Sequence, residues 1–366
     1  MRLIHCADVH LDASFSGLGL AAARRRRWAI RQTFRRVVDM AVEQRADALT
    51  IGGDLYEDLR SQGDTTRFLQ QEFERASCPV LISPGNHDYL HPGSLYSRER
   101  WPQNVHIFQG GEFTPYELGG WRVFGVAHLK PKGTGDLLHR FKVPKGGPAV
   151  ALFHGSERGQ LPEQGEGKED HAPFSEDEIQ RSGFRYALLG HFHKPRVGRL
   201  LVYPGNPEPL TFGEEGTRGP AVVELDEQGP PRVEIVPVGT FQLAEIEVDV
   251  TGCQHSEAIA DRVLGAIQVQ EDGDVAYRVR VTGELAAGVR LSRQELLERL
   301  RVNGRSVELV ISCRPQLDLE QLRQAPDARG QFVRSLLARP DFDSELVQAA
   351  LLAGLNALLG EEPALL

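Results

Sequence analysis

Cysteine is scarce in this chain and never clustered: Cys6, Cys78, Cys253 and Cys313 are all there are, with no CxxC pair. That usage argues against a disulfide framework and for buried free thiols in a reducing compartment. Long apolar runs are missing as well. No stretch approaches the roughly 18 residues a membrane span needs. Asp8 follows the first residue so closely that no signal peptide is expected. The expected setting is therefore cytoplasmic, with no membrane contact. An excess of positive charge is also absent, since the formal net charge is -9. Composition alone thus does not announce a nucleic-acid binder. It does not veto one either, because bound divalent cations would add positive charge at a site. With 366 residues, 40% hydrophobic and 25% charged, the chain reads as globular, one large domain plus smaller appendages.

What is present is five short polar segments in fixed order: Asp8-Val9-His10, Gly53-Asp54, Gly85-Asn86-His87-Asp88, Phe153-His154-Gly155 and Gly190-His191-Phe192-His193. Each follows an apolar run that reads as a buried strand, such as Leu3 to Cys6, Leu49 to Ile51 or Ala187 to Leu189. Strand and helix signals alternate to about Leu189, as in an α/β fold. Such folds bind ligands at the carboxyl ends of their strands, so the five segments are expected to meet in one cleft.

Two carboxylates, an amide and several imidazoles form a mixed oxygen and nitrogen donor set. That set suits Mn²⁺, Fe²⁺ or Zn²⁺ better than Ca²⁺ or Mg²⁺ alone. In Asp8-Val9-His10 and His191-Phe192-His193, positions i and i+2 point the same way on an extended strand end. Asp54 has two oxygens with which to bridge two ions. A two-ion site clamps a phosphate and acidifies a water, which attacks phosphorus as hydroxide. His87, one residue past the amide Asn86, is placed to stabilise the transition state and protonate the leaving oxygen. Asp12 and Asp88 fit either carboxylates that orient ligating histidines or turn caps. His5, His91, His106, His128, His139 and His255 fall outside the pattern and are expected in packing or at the surface.

Basic residues are mostly arginine. Arg24, Arg27, Arg31 and Arg35 recur on one side of the first helix, as a solvated face or as contacts to a phosphate backbone. The polar segment Glu157 to Pro173 is expected as a long mobile loop near the cleft, with His171 solvated. Beyond Phe241 a strand–helix–strand–helix–strand pattern reads as a small cap, with Ser292 and Glu295 capping its second helix. A helical tail follows. Asp343 is its expected N-cap, Gly360 its expected stop, and Leu346, Val347, Ala350, Leu351, Leu355, Leu358 and Leu359 lie on its apolar face. That face packs on its own domain or docks on a partner helix.

The motifs Asp8-Val9-His10, Gly52-Gly53-Asp54-Leu55-Tyr56, Pro84-Gly85-Asn86-His87-Asp88, His154-Gly155 and Gly190-His191-Phe192-His193-Lys194-Pro195 resemble those of calcineurin-like metallophosphoesterases. Ile4 to Asp12 and Tyr203-Pro204-Gly205-Asn206-Pro207 resemble the SbcD/YhaO type of DNA repair exonuclease. The resemblance implies a four-layer α/β/β/α core over 1–240, an α/β cap domain over 241–315 and a partner-docking helical segment over 316–366. It implies two metal ions, Mn²⁺, one held by Asp8, His10, Asp54 and His193 and the other by Asp54, Asn86, His154 and His191, with His87 catalytic. It also implies DNA as substrate, an SMC-like ABC ATPase as partner of the C-terminal helices, and a homodimer; from the helical spacing, Arg24, Arg27 and Arg31 are the candidate DNA contacts. One position departs: several nucleases of the family carry histidine where this chain has Glu57. Leu55-Tyr56-Glu57-Asp58 also lacks the DRG of the protein phosphatases. Two other functions stay open, a phosphodiesterase for small nucleotides and an ATPase-binding scaffold with a vestigial site.

Overall fold

The protein is described from a computed structural model. The structure describes residues 1–358 except 17, 19, 59–62, 165–169, 215, 268–273, 287, 288, 290 and 302–305. The chain divides into two compact units, Met1–Glu245 with Val269–Arg278, and Ile246–Gln268 with Val279–Leu366.

The first unit opens with β1 (Arg2–Cys6), α1 (Leu20–Glu43), β2 (Ala48–Ile51), α2 (Gly63–Arg75), β3 (Val80–Ile82), α3 (Leu95–Arg98) and β4 (Val105–Ile107). It continues through β5 (Thr114–Leu118), β6 (Trp121–Gly125), β7 (Ala149–His154), α4 (Glu176–Ser182), β8 (Tyr186–Gly190), β9 (Arg196–Val197) and β10 (Leu201–Tyr203). A closing hairpin, β11 (Ala221–Glu224) and β12 (Arg232–Ile235), returns to the edge of the first sheet.

The alternation produces two six-stranded sheets, β12-β11-β1-β2-β3-β4 and β5-β6-β7-β8-β10-β9, the two inner layers of the four-layer core that the resemblance implies. The split falls after β4, where the antiparallel hairpin β5–β6 starts the second sheet without an intervening helix. Within each sheet the site-bearing strands run parallel, with Thr50 beside Leu81 and Leu152 beside Leu188. Parallel strands so placed carry their C-terminal ends to the same edge.

Alternating side chains explain why these runs are apolar on both faces. On β1, Leu3 faces the second sheet, while Ile4 and Cys6 face α1 and α2. On β7, Val150 and Leu152 join the inter-sheet core, while Ala151 and Phe153 pack on the opposite side with Ile179 of α4. Three stacked apolar layers between helix, sheet, sheet and helix give the four-layer core. His5 crosses the middle layer, with Nδ1 at 3.0 Å from Thr50 Oγ1 and Nε2 at 3.0 Å from the Leu189 carbonyl. Burial lowers its pKa to about 4, so it bridges the sheets as a neutral ring.

The second unit receives the ends of β13 (Phe241–Asp249) and β14 (Asp274–Thr282) and adds β16 (Ser306–Ile311), ordered β13-β14-β16. β15 (Glu284–Leu285) pairs with β17 (Arg314–Pro315). α5 (Ser256–Ala266) buries Ile259, Ala260 and Val263, and α6 (Arg293–Arg301) buries Leu296 and Leu300. Ser292 Oγ accepts the Glu295 N–H at 3.3 Å, which caps α6.

The tail forms α7 (Leu319–Gln324), α8 (Ala328–Leu337) and α9 (Glu345–Leu358). Its apolar face divides. Val333, Leu351 and Leu355 bury one another with Leu322 and Leu336, whereas Leu346 is 79% exposed. The N-cap of α9 is Ser344, whose Oγ accepts the Val347 N–H at 3.4 Å, and not Asp343, because the helix begins one residue later. Leu359 and Gly360 lie outside the described residues.

Phe34 on α1 is fully buried, its ring 6.2 Å from those of both Phe68 and Phe73 on α2. Phe34→Ala is expected to destabilise the chain by about 3–5 kcal/mol, read from urea unfolding. A loss below about 1 kcal/mol would mean that α1 does not clamp the first sheet.

Candidate metal centre

The backbone leaves β1, β2 and β8 in a strained conformation. Asp8, His10, Asp12 and Asp54 have φ of 53°, 49°, 68° and 52°, and His191 has 106°. Left-handed conformations are uncommon for such residues and gather at functional sites. Loop-to-loop hydrogen bonds hold them there: the Asp8 N–H donates to Gly53 O at 3.0 Å and the His10 N–H to Asp54 O at 2.9 Å. Gly53, at φ 94°, is required because a Cβ there would stand 2.7 Å from Gly85 and from His154 Nδ1.

Asp88 ties the central loops together. Its buried carboxylate accepts the N–H groups of Gly85 (2.6 Å), Asp54 (3.0 Å) and Leu55 (2.8 Å) and the Tyr96 hydroxyl (2.7 Å). Asp12 accepts Thr65 Oγ1 at 2.6 Å. Neither carboxylate bonds a histidine at the centre, so both are loop organisers.

All seven expected ligands are brought together. Donor atoms of Asp8, His10 and His193, and of Asp8, Asp54 and His154, lie within 4.8 Å of one another in each group. Asn86 Oδ1 is 2.9 Å from His154 Nε2, and the His191 ring centroid is 5.1 Å from that of His154. The Asp8 carboxylate accepts the His191 N–H at 3.0 Å. His87 joins from the rim, its N–H donating to Asp54 Oδ1 at 2.8 Å.

For His154, His10 and His193, hydrogen bonds on the far side of the ring fix which nitrogen faces the centre. The carbonyl of Gly52 is 2.9 Å from His154 Nδ1, and as a pure acceptor it requires the proton there. The lone pair of Nε2 then faces Asn86 Oδ1 and Asp54 Oδ2, the latter at 3.3 Å. His10 Nδ1 is held by Glu57 Oε1 at 2.8 Å, which leaves Nε2 buried and without a hydrogen-bond partner. His193 Nδ1 is held by Glu214 Oε1 at 2.7 Å. Imidazole nitrogens and carboxylates converging this closely share protons in the metal-free chain, and a cation that replaces those protons completes the arrangement. The donor set therefore fits divalent metal.

Electrostatics agree. Burial pushes the Asp54 carboxyl up, but the imidazoles of His154, His87 and His10 outweigh it and hold it well below the carboxylate range. Burial, then the Asp54 charge, raises Asp88 to about 6. Burial also pushes Glu57 up, yet the hydrogen bonds from His10 and His87 bring it down to about 2. The Glu57 hydrogen bond is the largest influence on His87, raised from 6.5 to about 9.

Three of these residues escaped the sequence reading. Glu57, read only as a departure, takes His10 on one oxygen and His87 on the other, the latter at 3.2 Å. Its place three residues past Asp54 was the available signal. Glu214 lies 21 residues beyond His193 and has no local signal; Asn206 supports it, Nδ2 donating to Oε2 at 2.6 Å. His171 is not solvated but buried, its ring centroid 5.1 Å from that of His191 and 6.0 Å from that of His128. The ends of its segment are anchored, since Glu157 pairs with Arg196 at 2.6 Å and bridges to Phe174. Residues 165–169 of that segment lie outside the described residues.

Of the three arginines, Arg24 is exposed. Arg27 donates to the carbonyls of Ala13 and Ser14 at 3.4 and 3.3 Å. Arg31 donates to Asp64 and Thr65, each at 2.9 Å.

Glu57→Gln is expected to lower the His87 pKa from about 9 toward the ordinary 6.5, measured by NMR titration of the metal-free chain. The sign follows from linkage. A raised imidazole pKa contributes stability fully below 6.5, which fades as pH rises through about 9. The variant should therefore lose stability at pH 6 and little at pH 10. An unmoved His87 titration would contradict the Glu57 contact.

The model of the calcineurin-like phosphoesterase family matches residues 1–195. The uncharacterized metallophosphoesterase YhaO of Bacillus subtilis (strain 168) is 27% identical over 282 residues, covering 72% of this chain and 66% of that protein. The DNA double-strand break repair protein Mre11 of Methanopyrus kandleri is 27% identical over 406 residues, 99% of this chain and 84% of that one. The protein of the same name from Aeropyrum pernix is 30% identical over 281 residues, 68% of this chain and 64% of that one. Among the described residues no helix is long and apolar enough to cross a membrane. With the family model spanning more than half its length and the donor set assembled at the strand ends, the chain belongs to the calcineurin-like phosphoesterases, a family of metal-dependent hydrolases.

Proposed function

We propose that this chain is a Mn²⁺-dependent phosphodiesterase that degrades DNA as an exonuclease in repair, alongside an SMC-like ABC ATPase. The observation that carries the hydrolytic reading is the buried, partnerless Nε2 of His10 facing Asp8, Asp54 and His193. DNA as substrate draws on the repair proteins to which the chain is similar.

Asp8, His10, Asp54 and His193 would hold one divalent ion, and Asp54, Asn86, His154 and His191 the second. Such an ion pair, when bound, supplies Lewis acidity to the phosphate and acidifies water. Imidazole with carboxylate suits Mn²⁺, Fe²⁺ or Zn²⁺, and the choice of Mn²⁺ draws on the resemblance to the repair exonucleases. Raised to about 9, His87 is an imidazolium at neutral pH, with Nδ1–H donating to Glu57 and Nε2–H left as the donor to the leaving oxygen. Glu57 and Glu214 keep Nε2 of His10 and His193 deprotonated and aimed inward. Arg24, Arg27 and Arg31 are the proposed phosphate contacts.

The proposed organisation is a catalytic domain over 1–240, a cap over 241–315 that orients substrate, and helices over 316–366 that dock the ATPase, in the cytoplasm, with dimerisation as a further proposal. The exposed Leu346 supports the docking role. Deleting 316–366 should abolish co-elution with the ATPase and spare hydrolysis of a small model diester; co-elution after deletion counts against it.

Asp54→Ala is expected to abolish Mn²⁺-dependent cleavage of end-labelled linear DNA and to weaken metal binding by calorimetry. His87→Ala should retain metal and slow cleavage by about 10²- to 10⁴-fold. Cleavage retained by pure Asp54→Ala protein would sink the reading. The charge of -9 and Glu57 in place of histidine favour a second reading, a small-nucleotide phosphodiesterase. Turnover of a cyclic dinucleotide with intact DNA would select it.

A further inference from the structure

α1 is electrically unlike the rest of the chain. Between Ala13 and Val38 there are seven arginines and no acidic residue, in a protein of net charge -9. Some of that charge is neutralised from elsewhere in the fold: Arg26 by Glu208, Arg31 by Asp64 and Arg35 by Glu72. Arg24 and Arg27 pair with no carboxylate among the described residues; Arg27 bonds only carbonyls.

Beside these two arginines stands Trp28, 59% exposed on a helix whose other bulky apolar side chains are mostly buried. At about 100° per residue, Arg27, Arg24 and Trp28 fall within roughly a 100° arc of the helix surface. The arc adjoins the centre, because Arg27 grips the carbonyls of Ala13 and Ser14, three and four residues after His10.

We infer that Trp28, with Arg24 and Arg27, is a stacking platform for unpaired bases of a nucleic-acid strand led toward the metal centre. The inference rests on the nuclease reading and adds that the strand is single where it crosses α1. An exposed indole flanked by uncompensated guanidinium groups offers a flat π-face to a base and fixed positive charge to its phosphates. A protein partner would need carboxylates against both arginines. A second copy meeting this face across a twofold centred on Trp28 would set Arg24 and Arg27 against their own images, which is repulsive.

The indole is its own reporter, since Trp121 is only 4% exposed and Trp101 is half-buried. Full-length chain loaded with Mn²⁺ is titrated with a phosphorothioate oligothymidylate, which resists hydrolysis, while tryptophan emission is followed. Emission should be quenched by the single strand and not by a blunt duplex of equal length. W28A should abolish the quenching and weaken binding by about five- to a hundred-fold, while W28F retains most of the affinity. R24A should weaken binding to both forms. The melting curve of W28A, compared with wild type, establishes that the variant is folded. Equal affinity of folded W28A and wild type, or equal quenching by duplex, overturns the platform. So does a W28A chain that loses dimerisation in sedimentation with its oligonucleotide affinity intact. Quenching by the phosphorothioate strand without cleavage of ordinary DNA overturns the nuclease reading and leaves the platform standing, so the two failures are distinguishable.

Discussion

Everything at this centre is arranged around one buried charge, the carboxylate of Asp54. An ionised carboxyl taken out of water is costly unless it is compensated from several sides. Here His154, His87 and His10 surround it. The second carboxyl of the same loops, Asp88, is raised to about 6 by its burial and then by the Asp54 charge beside it. Asp88 nonetheless earns its place through geometry, because the N–H groups of Gly85, Asp54 and Leu55 all donate to it. One carboxylate thus collects the site's positive partners while its neighbour clamps the backbone that presents them.

That presentation depends on the two-sheet core. Left-handed φ values at Asp8, His10, Asp12, Asp54 and His191 are conformations a free loop would leave. They persist because the strands before them are fixed by side chains buried on both faces, so that each loop has one allowed start. Glycines complete the constraint, since Gly53 sits where any side chain would strike His154 and Gly85. Rigid sheets and strained loops together place lone pairs within a few ångströms of one another, a placement unfavourable in itself. Cation binding relieves it, so bound metal should add to the stability of the fold as well as to its chemistry.

The inner ligands were legible in the sequence, and the residues that aim them were not. Asp8 with His10, and His191 with His193, announce themselves because side chains two apart on an extended strand share a face. Glu214 reaches His193 across 21 residues while Asn206 holds its other oxygen, a relation that only the fold creates. Glu57 was visible but uninterpretable, since its value lies in touching two rings that arrive from β1 and from the loop after β3. His171 misled for the opposite reason: its polar neighbours suggested solvent, while the anchoring of Glu157 by Arg196 turns that end of the segment inward. The division into two sheets came with the family resemblance and not from the strand pattern, because β5 is largely exposed and carries none of the burial signal of β6 and β7.

An acidic chain can still serve a polyanion if its positive charge is concentrated where the substrate must pass. Much of this protein's arginine is used internally, Arg31 binding α1 to the start of α2 and Arg26 meeting Glu208 beneath the helix. Those pairs neutralise the buried side of α1 and leave its outer side positive. Divalent ions at the centre would extend the same positive region inward, so a strand approaching along α1 moves down a gradient that the net charge of -9 does not reveal. Interactions between exposed charges fade beyond about 8 Å at physiological salt. The gradient therefore acts over the first turns of α1 and the metal loop, where position counts for hydrolysis, and it contributes little to capture at long range.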